Sequence, residues 1–405
     1  MHQPLVWINE KLVSNLYRML IFEDSKVAWD AKLIARAYKN PAKYVKILSE
    51  EGFNPKIMLD YSGILLESLE ELGKSGVLDK VEIKGEKVGK IIELFKKVLR
   101  KFPQAIEFAG TAYSHCYFPV TPEEDWVLQI EEWRKTFKRI FGSKNLKKVR
   151  GFWFPEMGIP GYEDKLDKLI KIVSEYYEWC ILPLQALEGY ENLSYEKRIQ
   201  FVCKPHLLKT RNYSIPIIFG APYYLIDQQA GCEAGLLVKK LIEAGKIFEK
   251  ISDKPALVVP VSDGENGNVM MNEFFPKTFV PFFKGKHEGI SSLTVTEFLH
   301  TYYEKNGKIV PDSEIKVKAI GASWVNHHRF WVEGTKRGKL IEEVRKASKK
   351  FWEIKDELKK EKCEELKKIL LIAETSCYLY WGVDFWIEQG EKSLKEFLEK
   401  LKNLS

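Results

Sequence analysis

Six short apolar runs, each ending on a polar or small residue, set the tightest limit on what this chain can fold into. They are PKIMLDYSG ending near Asp60, AIEFAGTAYSH carrying Glu107 to His115, GFWFPEMG with Glu156, WCILPLQA with Gln185, IPIIFGAPYY with Gly220, and ALVVPVSDGEN with Asp263. Such runs are rich in β-branched and aromatic residues and read as buried strands. Between them lie amphipathic stretches such as EEDWVLQIEEWRKTFKRIF, whose apolar residues recur at three- and four-residue intervals. Continuous apolar strands alternating with helices predict a parallel α/β sheet covered on both faces, either open or closed into a barrel. In both cases ligands bind at the carboxyl ends of the strands, where all six runs put their polar residues. No GxGxxG and no GxxxxGK[ST] follows any run, which argues against nucleotide binding.

After about residue 290 the pattern turns helical. GKLIEEVRKASKKFWEIKDELKKEKCEELKKILLIAETSCYLYWG puts Leu340, Val344, Ala347, Phe351, Ile354 and Leu358 on one seam. Gly382 breaks it, and SLKEFLEKL closes the chain. We expect a catalytic barrel over residues 1–289 and a helical domain over 290–405 that contributes to the cleft. With 405 residues, 45% of them hydrophobic, the chain has room for one large domain and a smaller one. Its 64 basic and 57 acidic residues nearly cancel, giving a mixed surface rather than a nucleic-acid footprint. The Lys run from Lys355 to Lys368 is interleaved with Glu at helical spacing, as on a solvated helix face. Six scattered cysteines form no CxxC pair, so neither a zinc ribbon nor a disulfide framework is expected. No run approaches the ~18 apolar residues of a membrane span. The opening MHQPLVWINEKL lacks a basic leader with a long apolar core, so a cytoplasmic location is expected. Abundant Lys, Glu and Ile with little Gln fit a thermophilic source.

Two carboxylates stand out. Glu156 follows WFP, where proline fixes its own φ and pushes Phe154 towards extended geometry, so the strand is expected to run on to the acid. Alone, such a Glu is as well explained by a salt bridge to a loop. Asp263 ends a second apolar run and precedes Gly264, which alone is an ordinary turn. Two acids ending buried parallel strands on one face make the pair that glycoside hydrolysis uses: one attacks the anomeric carbon, and the other gives a proton to the leaving oxygen. Trp153, Tyr113, Tyr117, Tyr223, Tyr224 and Phe274 crowd the same turns, as core packing or as sugar-stacking platforms. His2, His115, His206, His327 and His328 match no standard ligand spacing, so no metal and no cofactor is expected.

HQP (His2 to Pro4), IEFAGTAYSH, GFWFPEMG, VSDGEN and AETSCYLYWG resemble, in order, the five signature regions of glycoside hydrolase family 57. The resemblance spans nearly the whole chain. It implies a (β/α)7 TIM-like barrel followed by a helical domain, and a retaining double displacement on an α-glucan or oligosaccharide substrate. Position by position, Glu156 resembles the family's nucleophile and Asp263 its general acid/base. His2, Glu107, His115 and Trp153 resemble substrate-subsite residues; Glu265 beside the acid and Trp381 from the helical domain are expected in the same cleft. Two departures stand out. Only Met1 precedes HQP, so the first barrel strand is expected to be absent or to lie upstream, and IIFGAPYYLIDQQAG replaces a region where many members carry an Arg-Asp pair. A non-catalytic α-glucan-binding relative and a metal-dependent carbohydrate hydrolase or deacetylase are the alternatives.

Overall fold

The computed structural model describes residues 1–221, 232–265 and 270–403. A short antiparallel hairpin, β1 (Leu5–Ile8) and β2 (Lys11–Ser14), opens the chain. The α/β part then runs through α1 (Ser25–Glu50), β3 (Ile57–Leu59), α2 (Gly63–Lys74), α3 (Ile91–Lys101), β4 (Ile106–Phe108) and α4 (Trp126–Phe141). It continues with β5 (Gly151–Trp153), α5 (Glu163–Tyr176), β6 (Trp179–Pro183), β7 (His206–Lys209), β8 (Ser214–Gly220) and α6 (Ala234–Phe248). After α7 (Val295–Tyr303) and β9 (Glu314–Ile315) come the helices α8 (Thr335–Ile354), α9 (Lys360–Ala373), α10 (Ser376–Trp381) and α11 (Asp384–Lys402).

The strands expected from the apolar runs are parallel neighbours. Ile57 pairs with Ile106, Gly110 bridges Phe152, Gly151 pairs with Trp179, Cys180 pairs with Ile217, and Ala221 bridges Pro260. β7 and β9 extend the sheet beside β8. Met1 lies against the end of β3: Ser62 N donates to its carbonyl at 3.1 Å, and its side chain fills the space over Gly264. Met1 and His2 therefore stand between β3 and the Val259–Glu265 segment, at the seventh place of a (β/α)7 ring.

Alternation along each strand sorts side chains into two cores. Leu59, Phe108, Phe152, Cys180, Leu182, Ile217 and Phe219 point out against the helices. Met58, Trp153, Ile181, Ile218, Val259 and Val261 point inward, where they meet Val295, Phe298, Leu299 and Tyr303 of α7. The α4 stripe of Trp126, Ile130, Trp133, Phe137 and Ile140 is buried as its spacing requires. Each such side chain contributes roughly 1.5–3 kcal/mol by leaving water. β5 begins with glycine because a Cβ at Gly151 would lie 2.2 Å from the Trp179 indole, which covers that strand.

α7 packs on the inner core of the barrel and β9 pairs with β7, so we propose that the division between the two parts falls after β9 rather than at residue 289. The long helical pattern is also divided: Leu358 and Lys359 are extended, and α9 folds back on α8. The reversal brings Leu366 and Leu370 onto Val344 and Phe351, together with Leu394 and Phe397 of α11. One continuous helix would have left the second half of the apolar seam in water. Gly382 does end α10, in the left-handed conformation (φ 58°) that glycine adopts without strain.

Candidate active site

β5 stops at Trp153, three residues short of the acid it was expected to carry. Phe154 is extended, as the following proline demands, but Pro155–Met157 form a single tight turn in which Glu156 has φ 58° and ψ 16°. Left-handed backbone costs a non-glycine residue roughly 1–2 kcal/mol, and here the turn is held from outside. The Glu156 carbonyl accepts from Trp324 N at 3.0 Å, and Ile159 bridges Ala322. Strain supported by surrounding contacts is characteristic of functional positions.

The Glu156 carboxylate is gripped at both oxygens. Ser376 Oγ donates to Oε1 at 2.9 Å, and Trp324 Nε1 donates to Oε2 at 3.0 Å. Burial nevertheless pushes its pKa up to about 7; the Ser376 bond opposes this, and the nearby charge of Asp263 adds to it. His115 Nδ1 lies 3.0 Å from Ser376 Oγ and 3.8 Å from Glu156 Oε1. Burial lowers the His115 pKa to about 3, so the ring is neutral and forms no ion pair. Since the Ser376 hydroxyl proton goes to Glu156, His115 must donate to Ser376 from a protonated Nδ1. The His2 ring stacks on His115 at 4.7 Å and 4°. Its Nδ1 pairs with Ser62 Oγ at 2.7 Å and its Nε2 with Thr375 Oγ1 at 3.1 Å. Two neutral imidazoles, His2 bonded at both ring nitrogens and His115 at Nδ1, thus form the floor beneath the acid.

Asp263 is exposed, and its Oδ1 accepts from Glu265 N at 3.2 Å. Glu265 is turned away from solvent to accept from His2 N at 2.7 Å, and burial pushes its pKa up to about 8. Glu107, expected at a sugar subsite, has both oxygens engaged by the start of α7. Val295 N donates to it at 2.9 Å, and Thr296 bonds it through backbone and hydroxyl. It is 6% exposed, and burial raises its pKa to about 7. This carboxylate thus holds a helix N-terminus. Trp153, half-buried, packs in the inner core. Tyr113, Tyr117 and Phe274 are core residues; Tyr223 and Tyr224 lie outside the described residues.

Trp381 is 55% exposed and edge-on to Tyr380. Tyr380 also touches Trp324 and Phe330, and its hydroxyl is held up by burial and by the charges of both Glu156 and Asp263. An aromatic face from the helical part therefore borders both acids. Sequence reasoning named neither Trp324 nor Ser376. Ser376 lay inside the quoted AETSCYLYWG, where a hydroxyl pair among apolar residues was the available signal. Trp324 lies in GASWVNHH, which carried no pattern beyond its histidines. Among the described residues, no group of three or more His, Cys, Asp or Glu is disposed to hold a metal ion, and no helix is long and apolar enough to cross a membrane.

The molecule is thus a parallel ring of strands with a helical part over its carboxyl rim, Glu156 and Asp263 lying beyond two of the strand ends. Residues 1–317 match the sequence model described as Glycosyl hydrolase family 57, and the chain belongs to that family, with its (β/α)7 barrel and helical C-terminal domain. Among solved structures it is similar to the 4-alpha-glucanotransferase of Thermococcus litoralis (TM-score 0.65, 17% identity), covering 95% of this chain and 58% of that one. It is also similar to a GH57-type branching enzyme from Pyrococcus horikoshii (TM-score 0.67, 14% identity, 93% and 85% covered). The exo-type maltose-forming amylase of Pyrococcus sp. ST04 gives a TM-score of 0.66 at 13% identity, with 99% and 75% covered. The chain thus spans little more than half the length of the glucanotransferase. No curated protein matches it by sequence.

Proposed function

We propose that this protein is a retaining enzyme of α-linked glucans, acting by double displacement as a glycosidase or glucan transferase. Glu156 attacks the anomeric carbon, and the Glu156 carboxylate leaves when water or a sugar hydroxyl takes its place. Asp263 protonates the departing glycosidic oxygen and then takes a proton from the incoming hydroxyl. The observation that carries this reading is the fixing of Glu156: a carboxylate in a left-handed turn, held at both oxygens, with the charge of a second acid felt beside it. Rigid aim of this kind is what attack on carbon requires.

The neutral His2–His115 stack supports the floor of the cleft, and Trp381 with Tyr380 supplies an apolar wall suited to the faces of glucose rings. The family membership supports the same substrate class, and the glucanotransferase, branching-enzyme and amylase relatives are consistent with it. We also propose a cytoplasmic site of action. The test is product analysis after incubation with maltooligosaccharides, amylopectin and an α-galactoside, comparing wild type with Glu156→Gln. Loss of turnover with retained sugar binding is expected. Wild-type turnover by the variant refutes the assignment, and binding without turnover by the wild type makes the chain a glucan-binding relative.

A further inference from the structure

Behind the residues that grip Glu156 lies a second pair of acids with an unusual arrangement. Asp125 occupies the N-cap of α4, where an aspartate ordinarily accepts from the helix N–H groups, yet its side chain caps nothing. It turns instead towards the helical part: Oδ1 accepts from Trp352 Nε1 of α8 at 2.7 Å, and the residue is fully buried. Glu374, at the end of α9 and 4% exposed, accepts at Oε2 from Gln129 Nε2 of α4 at 2.7 Å. Gln129, which holds Glu374, stands one helical turn after Asp125 and donates its N–H to the Asp125 carbonyl, so the two acids share one buried corner and each feels the other's charge. Asp125 Oδ2 and Glu374 Oε1 are both buried, and neither receives a donor. The Ser348 hydroxyl beside Asp125 is also without a partner and can serve Asp125 Oδ2, but two ionised carboxylates here would still leave Glu374 Oε1 orphaned and set up an unscreened repulsion. One proton between them satisfies both atoms.

We infer that Asp125 and Glu374 share a single proton, and that this carboxyl–carboxylate bond fastens the helical part to the barrel at the point that positions Glu156. Both acids are positioning residues, and the inference rests on the proposed role of Glu156. Glu374 is followed directly by Thr375 and Ser376. Thr375 holds His2 Nε2 and bridges Cys116, while Ser376 holds Glu156 and donates its N–H to the carbonyl of His115 at 3.0 Å. Gln129 ties the same corner from the barrel side, accepting from Ser114 N at 3.0 Å on the residue before His115. One corner thus sets both the hydroxyl and the imidazole that attend the acid. The proton resides on Glu374, because the amino end of α4 favours negative charge on Asp125 and the Trp352 N–H stabilises it further. Glu124 adds negative charge beside the pair, the Cys116 thiol faces it, and Ser348 lies alongside Asp125. Removal of the proton at alkaline pH sets two buried negative charges against each other and opens the fastener.

The experiment uses the full chain carrying Glu374→Gln and, separately, Glu374→Met. Gln supplies a permanent N–H to Asp125 and an oxygen to Gln129, so it preserves the geometry without a titrating proton; Met keeps the bulk and loses both bonds. For turnover of a maltooligosaccharide by folded protein, kcat should stay within about threefold for Gln and fall at least tenfold for Met, with KM nearly unchanged in both. Equal losses in the two variants, or full kcat in the Met variant, overturn the inference. An infrared difference spectrum of wild type against Glu374→Gln at pH 8 reads the proton itself. A protonated carboxyl C=O band present only in the wild type is expected, and its absence overturns the inference even if no glucan is turned over. Lack of turnover in the wild type with the band present refutes only the role given to Glu156.

Discussion

Replacing Glu156 by Gln should make the protein more stable, and only at the right pH. Burial holds this carboxyl up from an ordinary 4.5 to about 7. A raised carboxyl pKa means that the fold favours the protonated form and that ionising it costs folding free energy. The cost is absent below the unfolded value, grows as pH rises through 4.5 to 7, and is complete above about 8. Two and a half pKa steps at 1.36 kcal/mol each come to about 3 kcal/mol. Gln is neutral at every pH and keeps the local bonds: its oxygen accepts from Trp324, and its amide donates to Ser376, whose hydroxyl turns to His115 as that ring moves its proton to Nε2. At about 2.1 cal/mol/K per residue the unfolding entropy of the whole chain is roughly 0.85 kcal/mol/K, so 3 kcal/mol raises Tm by about 4 °C. Differential scanning calorimetry of both proteins at pH 4.5 and pH 8.5 is the assay. Coincident transitions at pH 4.5 and a variant about 4 °C higher at pH 8.5 are expected, alongside abolished turnover. A difference that does not vary with pH, or a less stable variant at pH 8.5, would refute the claim that an unfavourably buried charge sits at residue 156.

The same pKa fixes the acid side of the rate profile: attack requires ionised Glu156, so kcat/KM should rise with pH through about 7, and a limb near 4.5 would contradict the burial. Trp324→Phe removes the N–H that stabilises the anion, and a charge-assisted bond of about 1.5 kcal/mol moves that limb upward by about one pH step; an unmoved limb would show that the bond does not act on the charge. Glu107→Ala leaves the first N–H groups of α7 without a partner and should cost about 1–3 kcal/mol in chemical denaturation, with KM for maltooligosaccharides nearly unchanged; a tenfold rise in KM at unchanged stability would restore Glu107 to a sugar subsite. Trp381→Ala, at an exposed position, should leave stability within about 0.5 kcal/mol while weakening glucan affinity by about fivefold in calorimetric titration, and undiminished affinity would remove it from the cleft.

The barrel was legible because buried parallel strands advertise themselves as apolar runs, and the strand-end position made Glu156 and Asp263 visible. What sits beside them was not. Glu107 reads as a cleft acid on the strength of its run, but its partners lie 188 and 189 residues away at the start of a helix with no sequence link to it. The aim of Glu156 was ascribed to its strand, whereas a left-handed turn and two distant donors provide it. The break between α8 and α9 carries neither Pro nor Gly; tertiary packing of the seam decides it. Tyr113 and Tyr117 read equally as core or as platforms because rings near strand ends serve as either, and burial alone distinguishes the two.

The groups that hold Glu156 come from far along the chain, Trp324 168 residues and Ser376 220 residues downstream of it. Both lie past residue 317, where the match to the family's sequence model ends. A nascent chain that has completed its barrel but not its last helices therefore carries an acid that still lacks the Ser376 donor. On the role proposed for Glu156, competence arrives only once Trp324 and Ser376 have docked, so cutting the chain after residue 317 should disarm it.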